Sequence, residues 1–365
     1  MTRKTTFYEL ARIARVSPAT VSRVAAGMKS VDPVIQERVR SAAAKLGIDL
    51  EKKRDDTNRV IAFVFANREL TGPFQARVLA GAENYASLHG WELVFLTYRY
   101  PAAHAAGELH LPQILTRRSP ARGVIVTGSN SVNFLQALRL RQIPFTVLGN
   151  NLLGSPRQEQ ETRWDMVCSD DGQGAYDAIK YVIAQGHRHI WFIGDDRLPW
   201  YARRGEAYRR AMSEAGLEPR IIELHSDGSQ LGFLGAKSIL SRREPVTAIF
   251  ASADEIAHGV YTALRGAGIS VPGDVSVVGF NDTLGATFFP ALTSVRKFPE
   301  ELGRHLAEFT INRIKHPDSP LRQLVIPTQL VIRESVIPVA ANALMPANAL
   351  TERTDPNAGR IDTVQ

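Results

Sequence analysis

Beyond residue 59 the chain alternates between short apolar runs and longer segments whose apolar residues recur at helical spacing. The apolar runs predict strands at 60–66, 92–98, 123–128, 145–149, 166–170, 189–194, 248–252 and 275–280. The segments between them predict helices at 74–89, 131–141, 172–185, 201–215, 231–242 and 254–267. This alternation is typical of βαβ units, in which helices cover both faces of a parallel sheet. The pattern restarts near residue 160, which predicts an α/β body of two doubly wound lobes, with residues 150–164 crossing between them.

The start of the chain has a different pattern, in which two short helical segments flank a tight turn within residues 6–24. Thr6 and Glu9 have the spacing of a capping box at the start of the first segment. Ser17 is a good N-cap for the second segment, and Pro18 occupies its first helical position, where the missing N–H costs nothing. The pattern therefore predicts a helix-turn-helix unit.

The second of these helices leaves one face free for a partner. Val21 and Val24 face back toward the first helix. The outward side chains are Pro18, Ala19, Thr20, Ser22 and Arg23. Small, hydroxyl and Arg side chains beside a helix N-terminus suit the phosphate-lined major groove of DNA. Helix-turn-helix pairs are also common packing units, so this pattern alone leaves both interpretations open.

The distribution of charge favours the DNA interpretation. Residues 1–59 contain 13 Lys and Arg against 7 Asp and Glu, and this excess of six is nearly all of the formal +7 of the chain. Asp32 and Pro33 begin a third predicted helix that stops at Gly47. We predict a DNA-binding headpiece over 1–48, a charged linker over 49–59, a two-lobed domain over 60–337 and a disordered tail over 338–365.

Composition and missing motifs exclude several other classes of protein. Cys168 is the only cysteine, which rules out an internal disulfide framework and a Cys-based zinc site. No apolar run is long enough for a secretory signal or a membrane span, so we expect a cytoplasmic, nucleoid-associated protein. Neither G-x-G-x-x-G nor G-x-x-x-x-G-K-[ST] occurs, and Cys168 with His187 and His189 is a weak case for a thiol nucleophile. We expect no catalytic activity, no metal and no cofactor.

The segment ELARIARVSPATVSRV, followed by VDPVIQERVRSAAAKLG, resembles the headpiece of the lac-repressor-like (LacI/GalR) family of bacterial transcription regulators. The resemblance continues through GAYDAIKYVIAQGHRHIWFIG, ARRGEAYRRAMSEAGL, TAIFASADEIAHGVYTALRGAGISVPGDVSVVGFND and PALTSVRKFPEELGR, and covers roughly residues 6–335. It implies a body like that of periplasmic sugar-binding proteins, with three crossovers and a ligand cleft between two lobes.

The resemblance also implies a function. It is that of a homodimeric repressor whose affinity for a pseudo-palindromic double-stranded DNA operator responds to a small polar effector, a sugar or a related metabolite. Residues 60–335 alone would equally fit a solute-binding protein without a regulatory role. The basic headpiece and the missing export signal argue against that alternative.

In the headpiece, the resemblance implies a set of DNA-contacting residues: Thr6, Ser17, Pro18, Ala19, Thr20, Ser22 and Arg23. Arg23 best suits a bidentate contact to guanine, which is worth about 1–3 kcal/mol of discrimination. Thr6 and Ser22 are expected to contact phosphates, which position the protein without reading the sequence.

In the body, the expected effector contacts follow strands or match the family by position: Pro73, Phe74, Asp170, Trp200, Arg204, Asn281 and Asp282. Arg204 suits a carboxylate or vicinal hydroxyls through two parallel hydrogen bonds. Trp200 is either a stacking face or a core residue. Asp171 and Asp254 are expected to cap helices, and Arg203 is expected to be a surface charge.

This chain departs from the family pattern at several positions. The linker lacks the usual Tyr-x-Pro-Asn and the short apolar helix, so we do not expect Leu50 to act as a minor-groove wedge. Arg15 stands in the turn where the family often has Gly. In the predicted pocket, an amide, an acid and an aromatic ring that are common in the family are replaced by Ala253, by Asn281 and by Ser229 with Gln230.

Overall fold

The computed structural model describes residues 7–25, 31–48, 59–68, 72–116, 121–153 and 164–339. The predictions for Thr6 and Leu50, for nearly all of the linker and for residues 340–365 of the tail lie outside this set. No helix within the described part of the chain is long and apolar enough to cross a membrane.

The headpiece consists of three short helices around a small core. They are α1 (Phe7–Ala14), α2 (Pro18–Ala25) and α3 (Pro33–Lys45). Asp32 caps α3 by accepting a hydrogen bond from the amide of Val34 at 2.8 Å. The core contains apolar residues from all three helices and from the segment before α3: Leu10, Ala11, Ala14, Val21, Val24, Val31, Val39, Ala42 and Ala43.

The turn between α1 and α2 holds Arg15 in the left-handed region, with φ 51°. This conformation costs an L-residue roughly 1–2 kcal/mol, which is why glycine is favoured there. The guanidinium of Arg38 on α3 donates to the carbonyl oxygens of Ala14 and Arg15, the latter at 3.0 Å. Arg38 therefore satisfies carbonyls that the end of α1 leaves open and holds the turn against the third helix.

The body is built from alternating strands and helices. The strands are β1 (Val60–Ala66), β2 (Glu92–Tyr98), β3 (Ala121–Gly128), β4 (Phe145–Leu148), β5 (Asp165–Ser169), β6 (Ile190–Gly194), β7 (Arg220–Glu223), β8 (Ala248–Ala251), β9 (Ser276–Asn281), β10 (Thr293–Arg296), β11 (Gln323–Ile326) and β12 (Gln329–Val331). The helices are α4 (Pro73–Leu88), α5 (Val132–Leu140), α6 (Asp171–Ala184), α7 (Pro199–Glu214), α8 (Gly228–Ser241), α9 (Asp254–Gly266) and α10 (Pro299–Lys315).

These strands form two six-stranded sheets, one in each lobe. The order is β11-β5-β4-β3-β1-β2 in the first lobe and β12-β10-β9-β8-β6-β7 in the second. All neighbouring strands are parallel except β10 and β12. Helices pack on both faces of each sheet around separate apolar clusters. The predicted two-lobed, doubly wound fold is confirmed.

The chain passes between the lobes three times, after β5, after β10 and after β11. The prediction that residues 150–164 carry a crossover is wrong, because the strand that follows them still belongs to the first lobe. In β5, Met166 pairs with Val147 of β4 on one side and with Gln323 of β11 on the other. The chain therefore leaves the first lobe only after Ser169.

Candidate functional site

The carboxyl ends of parallel strands from both sheets face a cleft between the lobes, where ligands bind in open α/β sheets. Its cavity measures about 350 Å³, which falls in the range of small-molecule sites. The lining combines aromatic and charged side chains from both lobes. It includes Phe65, Arg68, Phe74 and Gln75 of the first lobe, Trp200, Tyr201, Arg204, Asp227, Glu255 and Asn281 of the second, and Lys297 of the crossover after β10.

Arg204 is the central polar residue of this cleft. Its side chain extends from α7, is only 2% exposed and stacks on the ring of Phe280 at 3.8 Å. Its Nε and Nη2 donate to Oδ2 of Asp171 at 3.1 and 2.7 Å. Further donations reach the carbonyl of Ser252 and, at 3.3 Å, Oδ1 of Asn281. These contacts fix the guanidinium plane before any ligand arrives.

Asp171 holds two cations from behind the cleft wall. Besides Arg204, it accepts from Nζ of Lys297, which lies 3.0 Å from Oδ1, and from the hydroxyl of Ser169 at 2.6 Å. Burial by itself raises the pKa of Asp171, but the two cations outweigh that effect and the pKa is lowered. Burial lowers the pKa of Lys297 to about 8, against the opposing influence of Asp171.

The structure gives Asp170 and Asp171 places that differ from those predicted. Oδ1 of Asp170 accepts the amide of Gln173 at 2.9 Å, so Asp170 caps α6 and does not line the cleft. Asp171, expected to be the cap, is the first residue of α6 and turns into the interior. Neighbouring side chains on a helix point about 100° apart, so the two carboxylates face different surroundings.

Asp282 and Asp254 anchor the loop that follows β9, and neither lines the cleft. Contrary to the effector contact expected for Asp282, Arg296 and Arg333 each lie 2.7 Å from its carboxylate. Asp254 does not cap α9 as expected, because Ala253 occupies the N-cap position. Its buried carboxylate instead accepts from the hydroxyl of Ser294 at 2.6 Å and the amide of Leu284 at 3.2 Å.

The ionisation of Asp254 is expected to lower the free energy of unfolding of the second lobe as the pH rises. Burial, with smaller contributions from Glu255 and Asp282, raises its pKa to about 7. The unfolded chain loses the proton of Asp254 near pH 4, whereas the folded state keeps it until about pH 7. The free energy of unfolding therefore decreases as the pH rises from about 4 to about 7. We expect a loss of about 2–3 kcal/mol from pH 5 to pH 8 through this group.

The matched variant is Asp254→Asn, whose amide can still accept from Leu284 and donate to Ser294. Urea unfolding at the two pH values should show a smaller loss of stability in the variant than in the wild type. Equal losses in both proteins would contradict the assignment.

Two groups of contacts bridge the lobes beside the cleft. Arg68 of the first lobe forms an ion pair with Asp227 and lies 4.9 Å from the ring centroid of Trp200 in the second. On the other side, Arg203 donates to the carbonyl oxygens of Gly149 and Asn150, the latter at 2.6 Å. Arg203 is thus not the expected surface charge, and burial lowers its pKa to about 10. Side-chain contacts beside the cleft therefore connect the two lobes.

Four of the residues predicted for the effector line the cleft together: Phe74, Trp200, Arg204 and Asn281. Pro73 precedes Phe74 as the first residue of α4 but is not part of the lining. Sequence reasoning missed Lys297, Arg68, Asp227 and Glu255. The only sequence signal for Lys297 was its place in the segment PALTSVRKFPEELGR, whose resemblance to the family did not single out this position.

The second helix of the headpiece has the predicted two faces. Val21 and Val24 are buried, whereas Pro18, Ala19, Ser22 and Arg23 are exposed and Thr20 is half-buried. Ser17 Oγ accepts the amide of Thr20 at 3.1 Å, as an N-cap does. The helix therefore presents its N-terminus and Arg23 on one open surface.

Cys168 is poorly suited to nucleophilic chemistry, because burial raises the pKa of its thiol to about 11. His187 and His189, the partners considered with it, do not join it in a cluster. Within the part of the chain that the structure describes, no group of three or more His, Cys, Asp and Glu residues could hold a metal ion.

Comparison with known proteins identifies both parts of the chain. The family described as "Bacterial regulatory proteins, lacI family" matches residues 6–48, and a "Periplasmic binding protein-like domain" matches residues 179–336. The ribose operon repressor of Haemophilus influenzae is 30% identical over 341 residues, which cover 91% of this chain and 98% of that protein. The transcriptional regulator CelR of Thermobifida fusca is 29% identical over 344 residues, covering 91% and 98%.

Solved structures agree with the observed fold. A complex of the transcriptional regulator CelR with cellobiose has a TM-score of 0.65 at 28% identity, covering 91% of this chain and 100% of that chain. The lac repressor dimer bound to operator and the anti-inducer ONPF has a TM-score of 0.68 at 19% identity, covering 91% and 99%, and shows the shared fold.

The fold and the two surfaces define a protein that joins a helix-turn-helix headpiece to a ligand-binding body. The chain belongs to the lacI family of bacterial regulatory proteins. It is a DNA-binding transcriptional regulator, as its relatives are.

Proposed function

We propose that this regulator is a repressor whose affinity for a pseudo-palindromic operator is controlled by a small polar effector bound between the lobes. The observation that carries the proposal is the preorganised Arg204, which contacts Asp171, Ser252 and Asn281 at the floor of a cleft open to both lobes. In this proposal Arg204 and Asn281 bind polar groups of the effector. Phe74 and Trp200 provide its apolar walls.

DNA contacts are proposed for the exposed face of α2 and its N-terminus. Arg23 reads guanine in the major groove, and Pro18, Ala19 and Thr20 contact neighbouring base edges. Thr6, Ser17 and Ser22 contact phosphates. The positive end of the α2 helix dipole favours a phosphate at the same place.

The effector is proposed to act through the angle between the lobes. The Arg68–Asp227 pair and the contacts of Arg203 already join the lobes without a ligand. A ligand that binds one arrangement better than another shifts the equilibrium by its difference in affinity. In a homodimer, which the two half-sites of an operator require, that shift changes the separation of the headpieces.

A sugar or sugar derivative is the proposed class of effector. Two relatives support this class through their names, one as a ribose operon repressor and one as a complex with cellobiose. Cytoplasmic location and the absence of catalytic activity are proposed with it. The charged segment 49–59 is proposed as the linker between the headpiece and the body.

The function is tested by selecting genomic DNA fragments with the full chain and sequencing them. We expect a two-fold symmetric site with half-site centres about one helical turn apart. Operator affinity should fall by orders of magnitude between about 50 and 200 mM salt, because several phosphates are neutralised. Retention of no DNA, or of fragments without a common site, would contradict the proposal. Light scattering of the free chain checks the dimer.

A further inference from the structure

Lys297 is a buried cation in the wall of the effector cleft. It lies in the crossover between β10 and α10, is 5% exposed, and its Nζ lies 4.5 Å from the ring centroid of Phe74. Its acceptors are the two oxygens of Asp171, at 3.0 and 3.3 Å. A buried lysine usually has a hydrogen-bond acceptor for each N–H group of its ammonium. We therefore ask what accepts the N–H of Lys297 that Asp171 does not use.

Lys297 and Arg204 share one carboxylate, that of Asp171. Arg203 stands nearby, behind the cleft, with Glu206 as its acidic neighbour. Burial is the main cause that lowers the pKa of Lys297, and Arg204 and Arg203 lower it further. Two cations of the cleft wall therefore share one buried carboxylate, which leaves a net positive charge on these three groups.

The other acids that line the cleft are Asp227 and Glu255. Asp227 is paired with Arg68 and accepts from the hydroxyl of Tyr201 at 3.0 Å. Burial raises the pKa of Glu255, with a smaller contribution from Asp227 and against the opposing influence of Arg204. Asp227 therefore has its own cation, and burial disfavours the charged form of Glu255, so neither acid fully offsets the charge shared by Lys297, Arg204 and Asp171.

The N–H donors of Arg204 and Lys297 are only partly used. Arg204 has five N–H groups, and its acceptors among the described residues are Asp171, Ser252 and Asn281, which take four of them. The ammonium of Lys297 has three N–H groups and one carboxylate partner. At least one donor on each side chain therefore remains for a ligand.

We propose that the effector carries an anionic oxygen group, a carboxylate or a phosphate, that binds Lys297 and Arg204 beside Phe74. This inference rests on the proposed function, since it names the class of ligand for the same cleft. The hydroxyls of the effector then face Glu255 and Asp227, and its carbon skeleton lies along Trp200. A neutral sugar would bring no further counter-charge to Lys297 and Arg204, which share Asp171.

The test measures binding of matched probes to the full chain without DNA. The neutral probes are glucose and ribose, the carboxylate probes are gluconate and glucuronate, and the phosphate probes are glucose 6-phosphate and ribose 5-phosphate. Melting temperature and calorimetry should show binding in one of the anionic arms, which also distinguishes carboxylate from phosphate. Equal or stronger binding of the neutral parents, or no binding in either anionic arm, overturns the proposal.

Two variants complete the test. Lys297→Gln should weaken the best anionic probe at least tenfold and change the binding of a neutral parent less than threefold. Lys237→Gln removes a charge from an exposed position on α8 of the same lobe and should bind like the wild type. An unchanged affinity in Lys297→Gln overturns the proposal. The proposed function fails by a separate result, the absence of a selected DNA site.

Discussion

Arg23→Ala is expected to abolish sequence-specific operator binding and to leave the fold and the proposed dimer intact. Arg23 is exposed on α2, next to the buried Val24 that fixes its direction. A bidentate contact to guanine is worth about 1–3 kcal/mol, and a dimer makes it in both half-sites. The loss of affinity should be roughly 30-fold or more, measured by gel shift on the selected operator.

A matched control separates base reading from charge. Arg40→Ala removes an exposed positive charge from α3 of the same headpiece. It should lower affinity for operator and for unrelated DNA alike, and only slightly. Arg23→Ala should lower the affinity for operator much more than that for unrelated DNA. If both variants leave the operator footprint unchanged, α2 is not the recognition helix.

Long buried elements of this fold were predictable because their patterns are local. All eight strands predicted from apolar runs are present, and β1 and β2 have the predicted ends. The strands that were missed, β7, β10, β11 and β12, have three or four residues each. β11 lies at the edge of the first-lobe sheet and β12 at the edge of the second-lobe sheet, and each pairs with a strand that is distant in sequence. Such pairing forms only in the assembled lobes, and a segment of three or four residues is too short to show a clear hydrophobic pattern.

The candidate site was predictable by region and less so by side chain. Arg204 and Phe74 were recognised from motif position, and both line the cleft. The sequence did not show which of Asp170 and Asp171 would cap α6 and which would contact Arg204, because the direction of a side chain at a helix start depends on where the cap falls. Lys297 was missed because a lysine in a short polar segment usually lies in solvent. Its burial arises only when the crossover packs between the two lobes.

Arg204→Ala is expected to remove the response to effector while operator binding persists. The side chain contributes an ion pair with Asp171, a contact with Asn281 and stacking on Phe280. Removing one partner of a buried pair costs about 3–5 kcal/mol, and the cost here should lie at the lower end because Lys297 still neutralises Asp171. The melting temperature of the body should fall. The ligand that most stabilises the wild type should no longer change operator affinity.

Two further variants keep this prediction testable if Arg204→Ala folds poorly. Arg204→Lys retains the charge but has no planar fork, so it should fold better and still respond weakly or not at all. Arg209→Ala removes an exposed arginine of the same helix, whose ion pair with Glu223 at 3.1 Å lies at the surface, and should behave like the wild type. A full effector response in Arg204→Lys and Arg204→Ala would mean that the guanidinium supports the lobe without binding the ligand. Loss of the effector response with normal operator binding would support Arg204 as a residue that binds the effector.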